Sequence, residues 1–110
     1  MPNLKIYLAE PLWDSHGPAL LAALPALRDR LMQDLGVPRA ACQLAVVPVH
    51  GLPDQPQCNV EIALLRHPDR TPDRIGALCE VLRAQLAPIL GTPPALRATA
   101  LDPAHYVTLK

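Results

Sequence analysis

The sequence predicts an α+β domain in which two tandem βαβ units form a four-stranded mixed sheet with two helices on one face. Three observations predict it: short runs of alternating apolar residues, two longer apolar stripes at helical spacing, and a near-repeat of one half of the chain in the other. With 110 residues, the chain has the length of a single domain. We therefore expect one domain over residues 1–110, with repeat one over 1–55 and repeat two over 56–110.

Repeat one begins with a strand over residues 3–8, where Leu4, Ile6 and Leu8 alternate with polar residues or Tyr7. A helix follows, with Asp14 or Ser15 as its predicted N-cap. The apolar face of this helix consists of leucines spaced three or four residues apart: Leu20, Leu24, Leu27, Leu31 and Leu35.

Three prolines help to define the rest of repeat one. Pro25 lies inside the helical stripe and should kink the helix or delay its start. Gly36 followed by Pro38 predicts the end of the helix. A second strand is predicted over 42–49, with Pro48 at an edge of the sheet.

Repeat two begins with a strand over 59–65. Thr71 is a suitable N-cap for a second helix, with Pro72 at its first position. The apolar face of this helix is Ile75, Leu78, Leu82, Leu86 and Ile89, and Gly91 ends it. A fourth strand is predicted over 96–101 and a short last strand over 106–109.

The two halves also align by sequence. Residues 3–8 match residues 59–64 at an offset of 56, and residues 35–40 match 90–95 at an offset of 55. Two matches at nearly the same period, joined by the same kind of helix, favour a duplicated βαβ unit.

Coverage of the sheet suggests an assembly. The helices lie on one face, and we expect that they cannot cover all of the apolar strand residues, which include Ile6, Leu8, Val46, Ile62 and Leu64. A chain of this length has nothing left to cover the other face. Packing against copies of itself would do so, and the sequence therefore predicts a homo-oligomer.

Charge and composition exclude several classes of function. Ten basic residues balance ten acidic ones, which argues against a nucleic-acid or membrane-surface protein. No apolar run has the length of a membrane span, and no signal peptide pattern is present. The three cysteines, Cys42, Cys58 and Cys79, lack metal-ligand spacing, so we expect no metal site and reduced thiols in the cytoplasm.

The Met1-Pro2 start, the strand after it and the repeated βαβ unit resemble the tautomerase superfamily, which includes 4-oxalocrotonate tautomerase and macrophage migration inhibitory factor. The resemblance implies a trimeric barrel, no cofactor, and Pro2 as an amino-terminal general base once Met1 is removed. A secondary amine kept neutral by burial or by a nearby cation can move a proton between atoms of a substrate.

The resemblance also implies residues that bind substrate. Arg70 precedes the second helix, where an arginine of the family often binds a carboxylate, and Arg66 is a possible second contact. Tyr106, in the predicted last strand, could polarise a carbonyl or pack at a subunit boundary. Cys58 falls opposite Pro2 in the repeat, and we interpret it as a packing residue.

Repeat one departs from the family pattern. No arginine precedes its helix, and the strand position that often carries an arginine falls on Cys42 or Gln43. Arg39 is nearby but offset, and Arg97 is one residue off in repeat two. These departures disfavour a dicarboxylate and favour a smaller acid or a site with fewer charged contacts.

The first functional hypothesis is thus an isomerase that moves a proton in a small 2-oxo or enol acid. A decarboxylase or hydratase of a small acid on the same fold is the alternative chemistry. A trimeric binding protein without activity is the alternative from another class. We expect a small carboxylate substrate, a homotrimer, and neither nucleic acid nor membrane as a partner.

Overall fold

The computed structural model describes residues 1–110. Strand β1 (Asn3–Ala9) passes through a 3₁₀ turn (Glu10–Leu12) into helix α1 (Trp13–Leu35), and a second 3₁₀ turn (Arg39–Ala41) precedes β2 (Gln43–Val49). Strand β3 (Cys58–Leu65), helix α2 (Pro72–Leu90) and strand β4 (Ala95–Leu101) follow.

The four strands form one mixed sheet in the order β2-β1-β3-β4. Strand β1 is parallel to β2, and β3 is parallel to β4, while the central pair β1 and β3 is antiparallel. Each parallel pair is joined by its own helix, as a βαβ unit requires. The predicted fold class is confirmed.

The pairing of the two central strands shows how the halves are related. Lys5 pairs with Glu61, the residue that the offset of 56 assigns as its equivalent. A local two-fold relation between the units therefore passes through this pair. Gln43 pairs with Asn3 and Ala95 pairs with Asn59, so the outer strands correspond at an offset of 52. The three-residue turn Arg39–Ala41 accounts for the change from the offset of 55 just before it.

Local signals set the helix ends as the sequence predicts. Gly36 and Gly91 end the two helices with φ values of 63° and 76°, a left-handed conformation that glycine adopts without steric cost. Thr71 caps α2, where its Oγ1 accepts a hydrogen bond from the Arg74 N–H at 3.2 Å. Pro48 lies on β2, which is an edge strand as expected.

The start of α1 differs from the prediction. The helix begins at Trp13 with Leu12 as its N-cap, and no side chain caps it. The 3₁₀ turn before it leads directly into helical backbone, which places Asp14 and Ser15 inside the first turn. Pro25 lies in the interior of a continuous helix and so does not delay its start.

The expectation that apolar strand residues would be left uncovered is wrong. The pairs Leu4–Ile62 and Ile6–Val60 lie in register, so their side chains share one face, and all four are buried. Leu8, Leu64 and Val46 also pack in the core on this side. The other face is largely polar on its two central strands and on β4, with Asn3, Lys5, Tyr7, Asn59, Glu61, Arg97 and Thr99.

A single cluster of 14 buried residues joins the helices to the sheet, with members from both repeats. The core is therefore shared between the repeats, and neither has a hydrophobic core of its own. Neither helix combines the length and the apolar character that a bilayer crossing requires.

Candidate functional site

The start of the chain lies at one end of the central strand. The Pro2 side chain is fully buried, and its carbonyl oxygen accepts a hydrogen bond from the Gln43 N–H at 3.0 Å. Burial, followed by the positive charges of Arg70 and Lys110, lowers the pKa of the Met1 α-amino group, and Cys42 acts in the opposite direction. An amine in these surroundings is more readily neutral near pH 7 than an exposed one.

Arg70 lies at this same end because β3 runs antiparallel to β1, so that β3 ends where β1 begins. Its Nη1 donates a hydrogen bond to the Leu65 carbonyl oxygen at 2.8 Å, and its backbone N–H donates to the His67 carbonyl oxygen at 2.9 Å. The guanidinium is part-buried and has no carboxylate partner. Its other N–H groups are free to bind an anion.

Arg66 is less well placed than Arg70. Its backbone N–H donates to the Leu101 carbonyl oxygen at 2.8 Å, which fixes the end of β3 beside β4. The residue is exposed, and its guanidinium makes neither a hydrogen bond nor an ion pair. The structure thus holds Arg70 at the end of the sheet where the chain's amino group lies, and it gives Arg66 no contact that would orient its side chain.

The predicted last strand is wrong, and Tyr106 does not lie in a strand. Residues 102–110 carry no regular structure. The Asp102 Oδ1 accepts a hydrogen bond from the Ala104 N–H at 3.0 Å, and the Asp102 carbonyl accepts from His105 N–H at 3.0 Å, so a turn follows β4 directly. Tyr106 is 38% exposed on this tail.

A cleft of about 660 Å³ opens between the end of α1 and the start of α2. Arg70 and Arg74 lie on its α2 side, and Asp34 lies on its α1 side. Arg74 Nη1 donates a hydrogen bond to the Asp69 carbonyl oxygen at 2.9 Å. Asp34 forms an ion pair with Arg30, with 3.5 Å between the Asp34 Oδ1 and the Arg30 Nη1. Part of the cleft wall is apolar: Leu35, Val37, Ile75, Ala77, Leu78 and Val81.

A second cleft, of about 480 Å³, lies beside the start of β2. Arg28 of α1 lines it together with Cys42 and Gln43, and Lys5 borders it from β1. The Nε of Arg28 is buried without a hydrogen-bond partner. Burial raises the pKa of the Cys42 thiol, against the opposing effects of Arg28 and of the chain's amino group.

Sequence reasoning missed Arg28 and Lys110. Arg28 follows Leu24 by four residues and precedes Leu31 by three, so its place beside the apolar stripe of α1 was a usable signal. No local pattern marks Lys110, because its position depends on how the tail after β4 returns toward the start of the chain. Arg39 is exposed in a 3₁₀ turn, and Arg97 is exposed on the largely polar face of β4.

The remaining candidates have structural explanations. Cys58 is buried in the core, as expected of a packing residue, and burial raises its pKa to about 11. All three cysteines are free thiols. No group of three or more His, Cys, Asp or Glu side chains is arranged to hold a metal ion.

Comparison with known proteins identifies the fold. No protein-family profile matches the sequence, and no curated protein matches it. Solved structures match over nearly the whole chain. A wild-type fused 4-OT described as an asymmetric trimer has a TM-score of 0.73 at 18% identity, and the match covers 96% of this chain and 91% of that one.

Two further structures have the same architecture. A macrophage migration inhibitory factor-like protein from Entamoeba histolytica has a TM-score of 0.71 at 16% identity, with 97% of this chain and 94% of that chain covered. The FG41 malonate semialdehyde decarboxylase, inhibited by 3-bromopropiolate, has a TM-score of 0.65 at 20% identity, with 96% and 87% covered. At these identities the likeness shows a shared fold, the one that the resemblance to the tautomerase superfamily implied.

Proposed function

We propose that this protein is a cofactor-independent isomerase that moves a proton in a small 2-oxo or enol acid, with Pro2 as the general base after loss of Met1. One observation carries the proposal: the chain's amino group and Arg70 lie at the same end of the two central strands, where burial and the charge of Arg70 lower the pKa of the Met1 amine. A neutral amine next to an unpaired guanidinium combines a base with a carboxylate-binding group.

Removal of Met1 would turn the Pro2 nitrogen from an amide into a secondary amine. That nitrogen belongs to a fully buried residue, so the desolvation that lowers the Met1 pKa would act on it as well. In the proposed reaction the amine accepts the proton of an enol hydroxyl and returns a proton to the adjacent carbon. The C=C–OH group becomes CH–C=O, with no change in oxidation state and no co-reactant.

Arg70 would bind the substrate carboxylate in this reaction and stabilise the enolate charge that develops beside it. Its fixed bond to the Leu65 carbonyl holds the guanidinium in one orientation, which leaves its remaining N–H groups directed at a ligand. Arg66 and Tyr106 are secondary candidates. Both are exposed, so either would need substrate or a neighbouring subunit to order its side chain.

We also propose that the chain assembles as a homotrimer. Support comes from the fused 4-OT of the same fold that is described as a trimer. The sheet edges give a physical reason, because β2 and β4 each have one unpaired side that another copy can pair with. The largely polar face carries a row in which Glu61 pairs across strands with Lys5 and Arg97, without an ion pair to either.

The test is conversion of enol to keto acid, followed by ultraviolet absorbance, with phenylenolpyruvate and 2-hydroxymuconate as substrates. Mass spectrometry first establishes that Met1 is absent. We expect turnover in the wild type and a loss of about 100-fold or more in Pro2→Ala. Cys58→Ala is the matched control, since Cys58 is the repeat equivalent of Pro2 and lies in the core.

Two outcomes would contradict the proposal. Turnover that persists in Pro2→Ala would exclude the proline base. No turnover in either protein would favour a decarboxylase, a reaction carried out by one of the proteins with this fold, or a trimer without catalytic activity. Release of carbon dioxide from small 3-oxo acids would then separate these two alternatives.

A further inference from the structure

We propose that the cleft between the end of α1 and the start of α2 binds the part of the substrate that does not react, and that this part is apolar. The substrate is then a 2-oxo or enol acid with one carboxylate and an apolar substituent on the carbon that gains or loses the proton. The inference rests on the proposed function for the reaction, and it assigns Val37 and Ile75 as residues that determine specificity. It agrees with the expectation that a dicarboxylate is disfavoured.

The cleft lies at the end of the sheet that carries the chain's amino group. Helix α1 ends at Leu35, shortly before β2, and helix α2 begins shortly after β3. The start of β2 and the last residues of β3 both pair with the start of β1, at Asn3. Strand alternation puts Pro2 on the same face as Leu4, the face that the helices cover, and both side chains are fully buried. The cleft and the Pro2 ring therefore share one end of the sheet and its helix-covered face.

The wall of this cleft presents apolar side chains that the core does not fully cover. Leu78 is buried, whereas Leu35, Val37, Ile75 and Val81 are only half-buried. Contact with an apolar group of a ligand would remove this surface from water, which favours binding in proportion to the area covered. The cleft volume of about 660 Å³ also lies within the range of about 300–1,000 Å³ that is typical of small-molecule sites.

The charges of the cleft favour a ligand with a single carboxylate. Arg70 has no carboxylate partner, and the proposed function gives it the carboxylate of the substrate. Arg74 is held by the Asp69 carbonyl oxygen, and Asp34 is paired with Arg30. Because the carboxylates of Asp34 and Asp69 also line the cleft, a second carboxylate of a ligand would lie near like charges. The ligand that fits is an acid with one charged end and an apolar body.

The experiment compares two 2-oxo acids that differ in their substituent. Pyruvate has only hydrogen on the carbon next to its keto group, and 4-methyl-2-oxopentanoate carries an isopropyl group there. In D₂O the proposed base removes a proton from this carbon and a deuteron from solvent replaces it, so proton NMR follows the exchange. The rate without protein is subtracted. We expect kcat/KM in the wild type to be higher for the branched acid by about 10-fold or more.

The ratio of the two kcat/KM values is then measured in matched variants. Ile75→Ala and Val37→Ala each remove apolar surface from the wall, and each should lower the ratio by about 3- to 10-fold. Ile89→Ala is the control, since Ile89 is a half-buried isoleucine at the other end of α2 and outside the cleft. It should change the ratio by less than about twofold. Because the two wall residues lie on different elements, a folding defect in one variant leaves the other as a test.

Calorimetric binding of hexanoate and adipate gives a readout that does not need turnover. The two acids have the same chain length, and adipate has a second carboxylate where hexanoate has a methyl group. Hexanoate should bind the wild type more tightly by about 5-fold or more, because the second carboxylate of adipate would lie in the apolar part of the cleft near Asp34. Ile75→Ala should weaken hexanoate binding, and Ile89→Ala should leave it unchanged.

The outcomes separate this inference from the proposed function. Exchange of both 2-oxo acids with equal kcat/KM, or with a ratio that Ile75→Ala and Val37→Ala leave unchanged, would overturn the apolar subsite and leave the isomerase intact. Tighter binding of hexanoate that depends on Ile75, in a protein without exchange, would support the subsite and overturn the reaction. Equal or tighter binding of adipate to the wild type would overturn the subsite directly.

Discussion

The two βαβ repeats share one scaffold but differ where each first strand passes into its helix. In repeat two, Arg70 bonds back to the end of β3, and Thr71 caps α2 through its side chain. In repeat one, a 3₁₀ turn leads into α1 with neither an arginine nor a side-chain cap. The two units have the same strand pairing and the same glycine helix ends, while the candidate site residue Arg70 is present at only one of the two related positions.

The two repeats also differ at the start of their first strands, β1 and β3. Pro2 and Cys58 are equivalent by the repeat, and both are buried. Pro2 adjoins an amino group whose pKa is lowered beside two cations, whereas Cys58 has only desolvation, which raises its pKa to about 11. Burial thus favours the neutral form of both groups, an amine at one end of the sheet and a thiol at the other.

The largest expected effect in this comparison comes from Arg70→Met. It removes the one arginine that adjoins the amine on the β3 side, so kcat/KM for an enol acid should fall about 10- to 100-fold. Because the positive charge of Arg70 lowers the amine pKa, its removal should also shift the acid limb of the pH–rate profile to higher pH.

Arg66→Met tests the secondary candidate beside that variant, since Arg66 is exposed and makes no side-chain contact. Its loss of kcat/KM should be smaller than that of Arg70→Met, at most about threefold. An equal loss in both variants would mean that the two arginines act together.

The two helices also differ at a glycine near each start. A Cβ on Gly17 would overlap Cε3 of Trp13, while a Cβ on Gly76 would have nothing within 4 Å. Gly17→Ala should therefore destabilise the protein by about 1–3 kcal/mol through overpacking. Gly76→Ala should stabilise it by about 0.5–1 kcal/mol because alanine loses less backbone entropy in a helix.

Urea unfolding of both variants against the wild type measures this difference. Gly76→Ala acts as the matched control, since it is the same substitution in the other helix. Destabilisation of similar size in both would show that Trp13 does not limit the space above Gly17.

The cap of α2 has no counterpart in α1, and its contribution is measurable. Thr71→Ala removes the side-chain acceptor of the Arg74 N–H, so the free energy of unfolding should fall by about 1 kcal/mol. Thr71→Ser keeps the hydroxyl and should therefore retain most of the free energy of unfolding that Thr71→Ala loses. Equal loss in both variants would indicate that packing of the threonine methyl group, and not the cap, stabilises this junction.

The smallest expected effect concerns Lys110, whose charge lowers the Met1 amine pKa less than burial or Arg70 does. Lys110→Met should raise that pKa by less than Arg70→Met does. An NMR titration of protein that retains Met1, labelled at its methionines, measures the amine directly, and Met32 serves as an internal reference. A shift to lower pKa would contradict the position of the tail.

The elements that depend on local chemistry could be predicted along the chain. The leucine spacing defined both helices, Gly36 and Gly91 ended them through positive φ, and Thr71 capped the second. The alternation in β1 and β3 defined the strands, and the repeat offset identified Lys5 and Glu61 as equivalents that the sheet then pairs. These features depend on residues within a few positions of one another, so they can be recognised along the chain.

Contacts between residues far apart in the chain could not be predicted in this way. It placed the apolar strand residues on one covered face, which the period of two alone leaves open, because the face depends on the register between β1 and β3. It also placed a turn after Asp102 and brought the end of β3, which Arg70 follows, to the end of the sheet where the chain's amino group lies. Proximity between residues far apart in the chain is set by pairing and packing, and no local pattern encodes it.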